Sequence, residues 1–117
     1  MKSVVIIDDD QGVIEALQAA LELWDFQTTG VSDTKMVLST LKKIKPDIIF
    51  LDLLLSGVDG VEITKQIRAQ KKFEKTPIVL MSAHPTAKEI SKTISVNGFL
   101  PKPFTLDRLR SLVHSLL

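Results

Sequence analysis

The sequence predicts an α/β fold in which helices cover both faces of one parallel sheet. Short, continuous runs of apolar and mostly branched residues alternate along the chain with longer stretches of helical period. A continuous apolar run is typical of a strand buried on both faces, as in a parallel sheet between two layers of helices. The length of 117 residues suits one domain with a real core and is too short for two, so residues 1–117 are expected to form a single domain.

Five strands are predicted, which we label β1 to β5 in chain order: residues 4–7, 26–31, 48–51, 78–81 and 99–100. The second is polar and the fifth is short, so both suit the edges of the sheet. Right-handed crossovers then favour the strand order 2-1-3-4-5. The chain is therefore expected to form a (βα)5 doubly wound parallel sheet of the flavodoxin-like kind.

The helices, α1 to α5, are predicted from apolar spacing and from capping residues. Ile14, Leu17, Leu21 and Trp24 lie on one helical face and define α1. Ser32 is expected to cap α2, which ends before Pro46. The remaining helices are expected at residues 61–69, 85–96 and 105–117.

The formal net charge of +1 conceals a division of charge along the chain. Residues 1–33 carry seven acidic residues and one lysine, whereas residues 34–117 carry fourteen basic and seven acidic residues. No aromatic-laced basic patch, apolar run of membrane-spanning length or signal peptide is present, so neither nucleic acid nor a membrane is an expected partner. Cysteine is absent, which excludes disulfides and thiolate metal sites.

Polar residues follow the apolar strands where each strand ends. Asp8 and Asp9 follow β1, Asp52 follows β3, Ser82 follows β4 and Lys102 follows β5. Because parallel strands share one carboxyl edge, these side chains are expected to meet in one crevice.

Three carboxylates in one crevice repel each other, by about 4 kcal/mol per pair at ~4 Å and an effective dielectric near 20. A proton or a cation has to relieve this repulsion. Oxygen ligands without histidine or cysteine favour a hard divalent cation, Mg²⁺ or Mn²⁺. With a lysine and a serine opposite, the pattern indicates a metal-assisted phosphoryl site with an aspartate as nucleophile.

Four segments at the strand ends resemble the receiver domain of two-component response regulators. They are VIIDDD at residues 5–10, LDLLLSGVDG at 51–60, VLMSA at 79–83 and FLPKPF at 99–104. The resemblance spans essentially the whole chain, and the four segments occur in the family's order.

The resemblance implies a role for each residue at the strand ends. Asp52 would accept a phosphoryl group from a phosphohistidine of a sensor histidine kinase or phosphotransfer protein. Asp8 and Asp9 would hold Mg²⁺ together with Asp52 and the main-chain carbonyl of Leu54. Lys102 would contact the phosphoryl group and the acceptor.

The resemblance also implies a conformational response. Ser82 would move to bond the phosphoryl oxygen, and Phe99 would change its packing. The Lys102–Pro103 peptide is expected to be cis. The surface formed by α4, β5 and α5 would then contact an effector domain or a second copy of the chain. The protein is expected to be cytoplasmic and not an enzyme, beyond its own phosphorylation and dephosphorylation.

The sequence departs from the family's pattern at a few positions. Ser56 stands where proline is usual, which predicts a slightly more mobile loop. Phe99 lacks a hydroxyl, so its two states would differ by packing alone. Leu54 and His84 lie two residues beyond Asp52 and Ser82, where the family tunes attack by water. We predict that Leu54 hinders this water.

Three other functions fit parts of the sequence. A degenerate receiver would act only as a docking module, although all five key positions are filled. A haloacid-dehalogenase-like phosphatase needs a second aspartate where Leu54 stands. A flavodoxin-type FMN protein needs a hydroxyl- and glycine-rich loop after β1, where Asp8, Asp9 and Asp10 would repel a phosphate.

Overall fold

The computed structural model describes residues 1–55 and 57–117, so the prediction for Ser56 lies outside the described residues. Five parallel strands form the main sheet: β1 Ser3–Ile7, β2 Gln27–Val31, β3 Ile48–Asp52, β4 Ile78–Ser82 and β5 Gly98–Pro101. Their spatial order is β2-β1-β3-β4-β5, which confirms the predicted order and the edge positions of β2 and β5.

The helices lie on both faces of the sheet: α1 Gln11–Leu23, α2 Val37–Ile44, α3 Gly60–Arg68, α4 Ala87–Ser91 and α5 Leu106–Leu116. One core joins α1 and α5 to the sheet through residues such as Leu17 and Leu109. The other core joins α2, α3 and α4 to the opposite face through residues such as Leu41 and Ile67. Every residue of β3 and β4 is buried, as the continuous apolar runs predict.

The connections differ from the prediction in three places. The helix expected over 85–96 is confined to Ala87–Ser91, because β-branched residues follow it closely. Asp33, rather than Ser32, accepts a cap hydrogen bond, and the turn that it caps is a 3₁₀ turn at Thr34–Met36 ahead of α2. A two-residue hairpin, Leu54–Leu55 paired with Val58–Asp59, was not predicted.

None of the helices in the described residues is long and apolar enough to cross a membrane.

Candidate functional site

The topology brings residues from three separate strands to one edge of the sheet. Asp8 follows β1 and extends the pairing with β2, because its N–H donates to the Val31 carbonyl at 3.1 Å. Asp52 is the last residue of β3. Lys102 follows β5, where its N–H donates to the Ser82 carbonyl at 2.9 Å. The strand ends therefore meet as the sequence predicts.

The ammonium group of Lys102 joins two of the aspartates. Its Nζ donates to Asp8 Oδ2 at 2.7 Å and to Asp52 Oδ1 at 3.1 Å. Asp8 is 1% exposed and Asp52 is 6% exposed, so both ion pairs are shielded from water. The Lys102–Pro103 peptide is cis, which confirms that expectation.

The carboxylate of Asp8 is held at both of its oxygens. While Oδ2 accepts from Lys102, Oδ1 accepts the main-chain N–H of Asp10 at 2.9 Å. Asp10 in turn caps α1, with its side chain accepting from the Gly12 N–H at 2.9 Å. Asp10 therefore has two roles. Its side chain caps α1, and its main-chain N–H holds the carboxylate of Asp8 in place. This backbone contact was not predicted from the sequence.

The third aspartate completes a cluster of oxygen donors. Carboxylate oxygens of Asp8, Asp9 and Asp52 all lie within 4.8 Å of one another. Asp9 is exposed, whereas the other two are buried. Three carboxylates in this arrangement could hold a hard divalent cation, with the exposed side open to water.

Burial and like charge shape the proton affinity of the cluster. Burial raises the pKa of Asp52 most, and the neighbouring charges of Asp8 and Asp9 raise it further. Together these effects outweigh the lowering by Lys102. Burial lowers the pKa of Lys102, but its contacts with Asp8 and Asp52 more than offset this, so that its pKa is raised overall. Ionised Asp52 is therefore held at a cost in free energy that an added cation would reduce.

Ser82 lies at the end of β4, and its hydroxyl has a partner in the next loop. Ser82 is 4% exposed, and its Oγ accepts the N–H of His84 at 2.9 Å. The ring Nδ1 of His84 lies 2.9 Å from Thr86 Oγ1 and accepts the Thr86 N–H at 3.2 Å. The exposed imidazole therefore stabilises its own loop through Thr86, a contact that was not predicted from the sequence.

The loop after Asp52 is shaped by the hairpin and by a close approach of α3. The Gly60 N–H donates to the Leu53 carbonyl at 2.7 Å, and a Cβ on Gly60 would stand 2.5 Å from the Asp52 carbonyl oxygen. Only glycine fits there without movement of the Asp52 backbone. Leu54, two residues beyond Asp52, is 60% exposed. The predicted role of its carbonyl as a metal ligand stays a prediction.

Phe99 is half-buried on β5. It packs against the core beneath α2, α3 and α4, and it also borders an open groove along α5 of about 860 Å³. Its ring therefore lies between the core and the groove, so a change in its packing would alter the shape of the surface along α5.

The fold and the strand-end cluster together define a doubly wound α/β protein with a carboxylate and lysine site. The family model described as "Response regulator receiver domain" matches residues 4–114. The chain belongs to the response regulator receiver domain family.

Several curated proteins are similar to this chain. Sensory transduction protein BceR of Halalkalibacterium halodurans is 28% identical over 100% of the chain and 50% of its own length. Nisin biosynthesis regulatory protein NisR of Lactococcus lactis is 30% identical over 96% of the chain and 48% of its own length. The chain thus spans about half the length of the curated relatives that it matches.

Solved structures support the same fold. The signal receiver domain of a signal transduction histidine kinase from Syntrophus aciditrophicus is 25% identical, with a TM-score of 0.88 over 100% of this chain and 90% of that one. Chemotaxis protein CheY4 of Vibrio cholerae shares the fold with a TM-score of 0.91 at 24% identity, over 100% of this chain and 99% of that one.

Proposed function

We propose that this chain is a phosphorylation-activated signalling switch in which Asp52 is the phosphoacceptor. The observation that carries the proposal is the ammonium group of Lys102, which lies between Asp52 and Asp8 at the carboxyl edge of the sheet. A cation fixed beside a buried carboxylate is suited to a reaction that brings further negative charge to that carboxylate. Membership of the receiver family supports the same reaction.

The donor set fits Mg²⁺, with Mn²⁺ as the second choice. The described acidic cluster consists only of carboxylates, from Asp8, Asp9 and Asp52. We propose that these three residues hold the ion, with the Leu54 carbonyl as a fourth ligand. When bound, the ion supplies positive charge that offsets the charge on an incoming phosphoryl group. The raised pKa of Asp52 agrees with this, because burial and the charge of Asp8 both make its ionised form costly and a bound cation would reduce that cost.

In the proposed transfer, an oxygen of Asp52 forms a bond to phosphorus while the P–N bond of a donor phosphohistidine breaks. The donor imidazole keeps the electron pair of that bond. Lys102 already occupies Asp52 Oδ1, so we propose Oδ2 as the attacking atom. Lys102 then contacts both the product carboxyl and the transferred phosphoryl group. The chain would catalyse only this step and the later hydrolysis, in which water attacks phosphorus, the bond to Asp52 breaks and inorganic phosphate leaves.

The proposed response begins at Ser82. Turning its hydroxyl towards the phosphoryl group would break its contact with the His84 N–H, which releases the start of the following loop. Phe99 would then repack at the edge of the α5 groove. We propose that this changes the surface formed by α4, β5 and α5.

The partners follow from the family and from the coverage of the relatives. A sensor histidine kinase or a phosphotransfer protein would supply the phosphoryl group, and we propose that the chain acts in the cytoplasm. The relatives extend over about twice the matched length, and one of them is named a transcriptional regulatory protein, PhoP of Bacillus subtilis. We propose that the changed surface contacts an effector domain or a second copy of this chain. Residues 1–117 would act as one receiver domain.

Intact-mass spectrometry after incubation with acetyl phosphate tests the proposal. With Mg²⁺, the chain is expected to gain the mass of one phosphoryl group. Asp52→Asn and excess chelator are each expected to abolish the gain. A gain that persists in Asp52→Asn would overturn the assignment of the acceptor, whereas a chain with a filled metal site and no gain would favour a docking module.

Melting temperature with and without Mg²⁺ tests the metal site separately. Saturation at 100 times the dissociation constant would add about 2.7 kcal/mol to the free energy of unfolding. Asp8→Asn is expected to remove most of this gain. Equal melting temperatures in Mg²⁺ and in chelator would contradict the proposed site.

A further inference from the structure

The connection between β4 and β5, residues 83–97, is held very differently at its two ends. At the end near the crevice, the side-chain bond across the start of the connection joins Ser82 Oγ to the His84 N–H. Under the proposed function, this is the bond that phosphorylation breaks. The far end lies at the opposite edge of the sheet, where β4 and β5 begin.

At the far end, the guanidinium group of Arg68 joins three segments. Arg68 is the last residue of α3. Its Nε donates to the Ser95 carbonyl at 2.9 Å, and its Nη2 donates to Asn97 Oδ1 at 2.9 Å. Its Nη1 donates to the carbonyls of Phe73 and Thr76, each at 2.7 Å. Four donations from one rigid group therefore tie the end of the connection to α3 and to the loop that precedes β4.

Asn97 extends this contact into the sheet. Its Oδ1 also accepts the Ile78 N–H at 2.9 Å, and its own N–H donates to the Ile78 carbonyl at 2.8 Å. Ile78 is the first residue of β4 and Gly98 is the first of β5. Arg68 and Asn97, which we call the clamp, thus fix the register at which the two strands start to pair.

Between its two ends, the connection is held loosely. Helix α4 has five residues and no side-chain cap. Ala87 is its buried residue, whereas Ile90 and Ile94 are partly buried. Among the described residues, the hydrogen bonds shown for 85–94 are all local, with partners within 84–96. Local hydrogen bonds and partial burial of this kind are typical of segments that open more easily than the strands beside them.

We propose that the clamp confines the switching motion to residues 83–94 and holds the backbone of β5 in place. The inference rests on the proposed function and goes beyond it. At the crevice end of the β4 and β5 pair, the N–H of Lys102 donates to the Ser82 carbonyl. A fixed register keeps Lys102 on Asp8 and Asp52 while α4 moves. Phe99 can still change its side-chain packing, because side-chain motion needs no shift of the strand.

The chemistry of the clamp favours arginine over lysine. Its four acceptors are neutral carbonyl oxygens that point at a planar group from different directions. A guanidinium offers five N–H donors in a fixed plane and stays charged, whereas an ammonium group cannot reach all four acceptors at once. Arg68→Lys is therefore expected to weaken the clamp, and Asn97→Asp, which keeps an acceptor oxygen, is expected to preserve it.

Hydrogen exchange of the intact chain, measured with and without Mg²⁺ and beryllium fluoride as a stable phosphoryl mimic, tests the proposal. In the wild type, the mimic is expected to change exchange in residues 83–94 and to leave 97–101 unchanged. In Arg68→Met, exchange at 97–101 is expected to rise about tenfold without the mimic, and the change caused by the mimic is expected to extend into 97–101. Lys65→Met, at an exposed position of α3, is the matched control and should keep the wild-type boundary.

Two results would overturn the clamp. One is a wild type in which the mimic already changes hydrogen exchange at residues 97–101. The other is an Arg68→Met variant in which the mimic changes exchange only up to residue 94. If Arg68→Met does not fold, the same exchange measurement is made on two milder variants. Asn97→Ala removes one acceptor of the clamp, and Arg68→Lys removes its planar donor group. A wild type that gains phosphoryl mass but shows no exchange change at 83–94 overturns the clamp and leaves the proposed acceptor intact. A wild type that does neither overturns both.

Discussion

Lys102 and Asp8, 94 residues apart in the chain, form an ion pair of 2.7 Å at the carboxyl edge of the sheet. Asp8 is buried, and the side chain of Lys102 is 19% exposed. Because the same ammonium group also reaches Asp52, it is the positive counterpart of the two buried carboxylates. One ammonium group therefore offsets the charge of both carboxylates, and under the proposed function it would also face a phosphoryl group on Asp52.

Lys102→Met is expected to lower the free energy of unfolding by about 1–3 kcal/mol at pH 7, because it leaves buried carboxylates without their cation. The raised pKa of Lys102 means that its contribution is complete at pH 7 and is lost only as pH rises through that pKa. On the acidic side, the difference from the wild type should shrink as Asp52 becomes protonated. Urea unfolding at several pH values measures this.

The control for Lys102→Met is Lys92→Met. Lys92 pairs with Glu89 at 3.3 Å, but both side chains are well exposed, so this change is expected to be nearly neutral. Equal losses in the two variants would show that the strand-end pairs contribute no more than surface charge.

Asp52→Asn is expected to stabilise the metal-free protein at neutral pH. Since burial and Asp8 raise the pKa of Asp52 in the folded state, the folded state binds this proton more tightly than the unfolded state. Stability is therefore lost as pH rises from the unfolded value of 3.8 through the raised pKa, and the variant escapes this loss. In chelator, the melting temperature of Asp52→Asn should exceed that of the wild type by more at pH 7 than at pH 4. A variant that melts below the wild type at pH 7 would contradict the cost of ionising Asp52 that burial and Asp8 impose.

Leu54→Asn is expected to shorten the lifetime of the phosphorylated state. Leu54 lies two residues beyond Asp52 and is 60% exposed, and we expect its apolar side chain to hinder an attacking water. A polar amide could bind that water, and a tenfold faster loss corresponds to about 1.4 kcal/mol of barrier. Leu23→Asn, at an exposed leucine at the end of α1, is the control. The time course of phosphoryl mass after removal of acetyl phosphate gives both rates, and equal lifetimes for Leu54→Asn and the wild type would refute the role of Leu54.

Gly60→Ala is expected to displace the backbone of the acceptor. The added Cβ would stand 2.5 Å from the Asp52 carbonyl oxygen and 2.8 Å from Leu53, so the loop must shift. Overpacking of this kind costs about 1–3 kcal/mol, and phosphorylation should slow as Asp52 moves away from Lys102.

Gly57→Asn is the matched control for Gly60→Ala in the same loop. A Cβ on Gly57 would meet nothing within 4 Å, and asparagine tolerates its positive φ of 71°. If Gly60→Ala were phosphorylated as fast as this control, the close approach of α3 would not affect the rate of phosphorylation at Asp52.

The central parts of the fold and site were predictable because the relevant signals are local. Apolar runs mark β3 and β4, and polar residues directly after the strands mark the crevice. Asp8, Asp52 and Lys102 could be placed together because parallel strands must share an edge, even though the distances between them could not be known.

The parts that were missed depend on competition between neighbours or on distant contacts. Ser32 and Asp33 can both cap a helix, and the choice between them is made by the turn at Thr34–Met36. Helix α4 is short because Thr93, Ile94 and Val96, which follow it, have weak helical propensity and their packing does not extend the helix. Arg68 reads as an ordinary surface charge, because its four acceptors come from loops that only the folded chain brings together.

The most direct test of the central claim is to locate the phosphoryl group on the chain. Borohydride reduces an acyl phosphate to an alcohol, and peptide mass spectrometry then identifies the residue that carried it. After treatment with acetyl phosphate and Mg²⁺, the reduced residue is expected at position 52 alone, and the signal should vanish in chelator. Reduction at position 8 or 9, or a phosphoryl group that resists borohydride and maps to Ser82 or His84, would contradict the account.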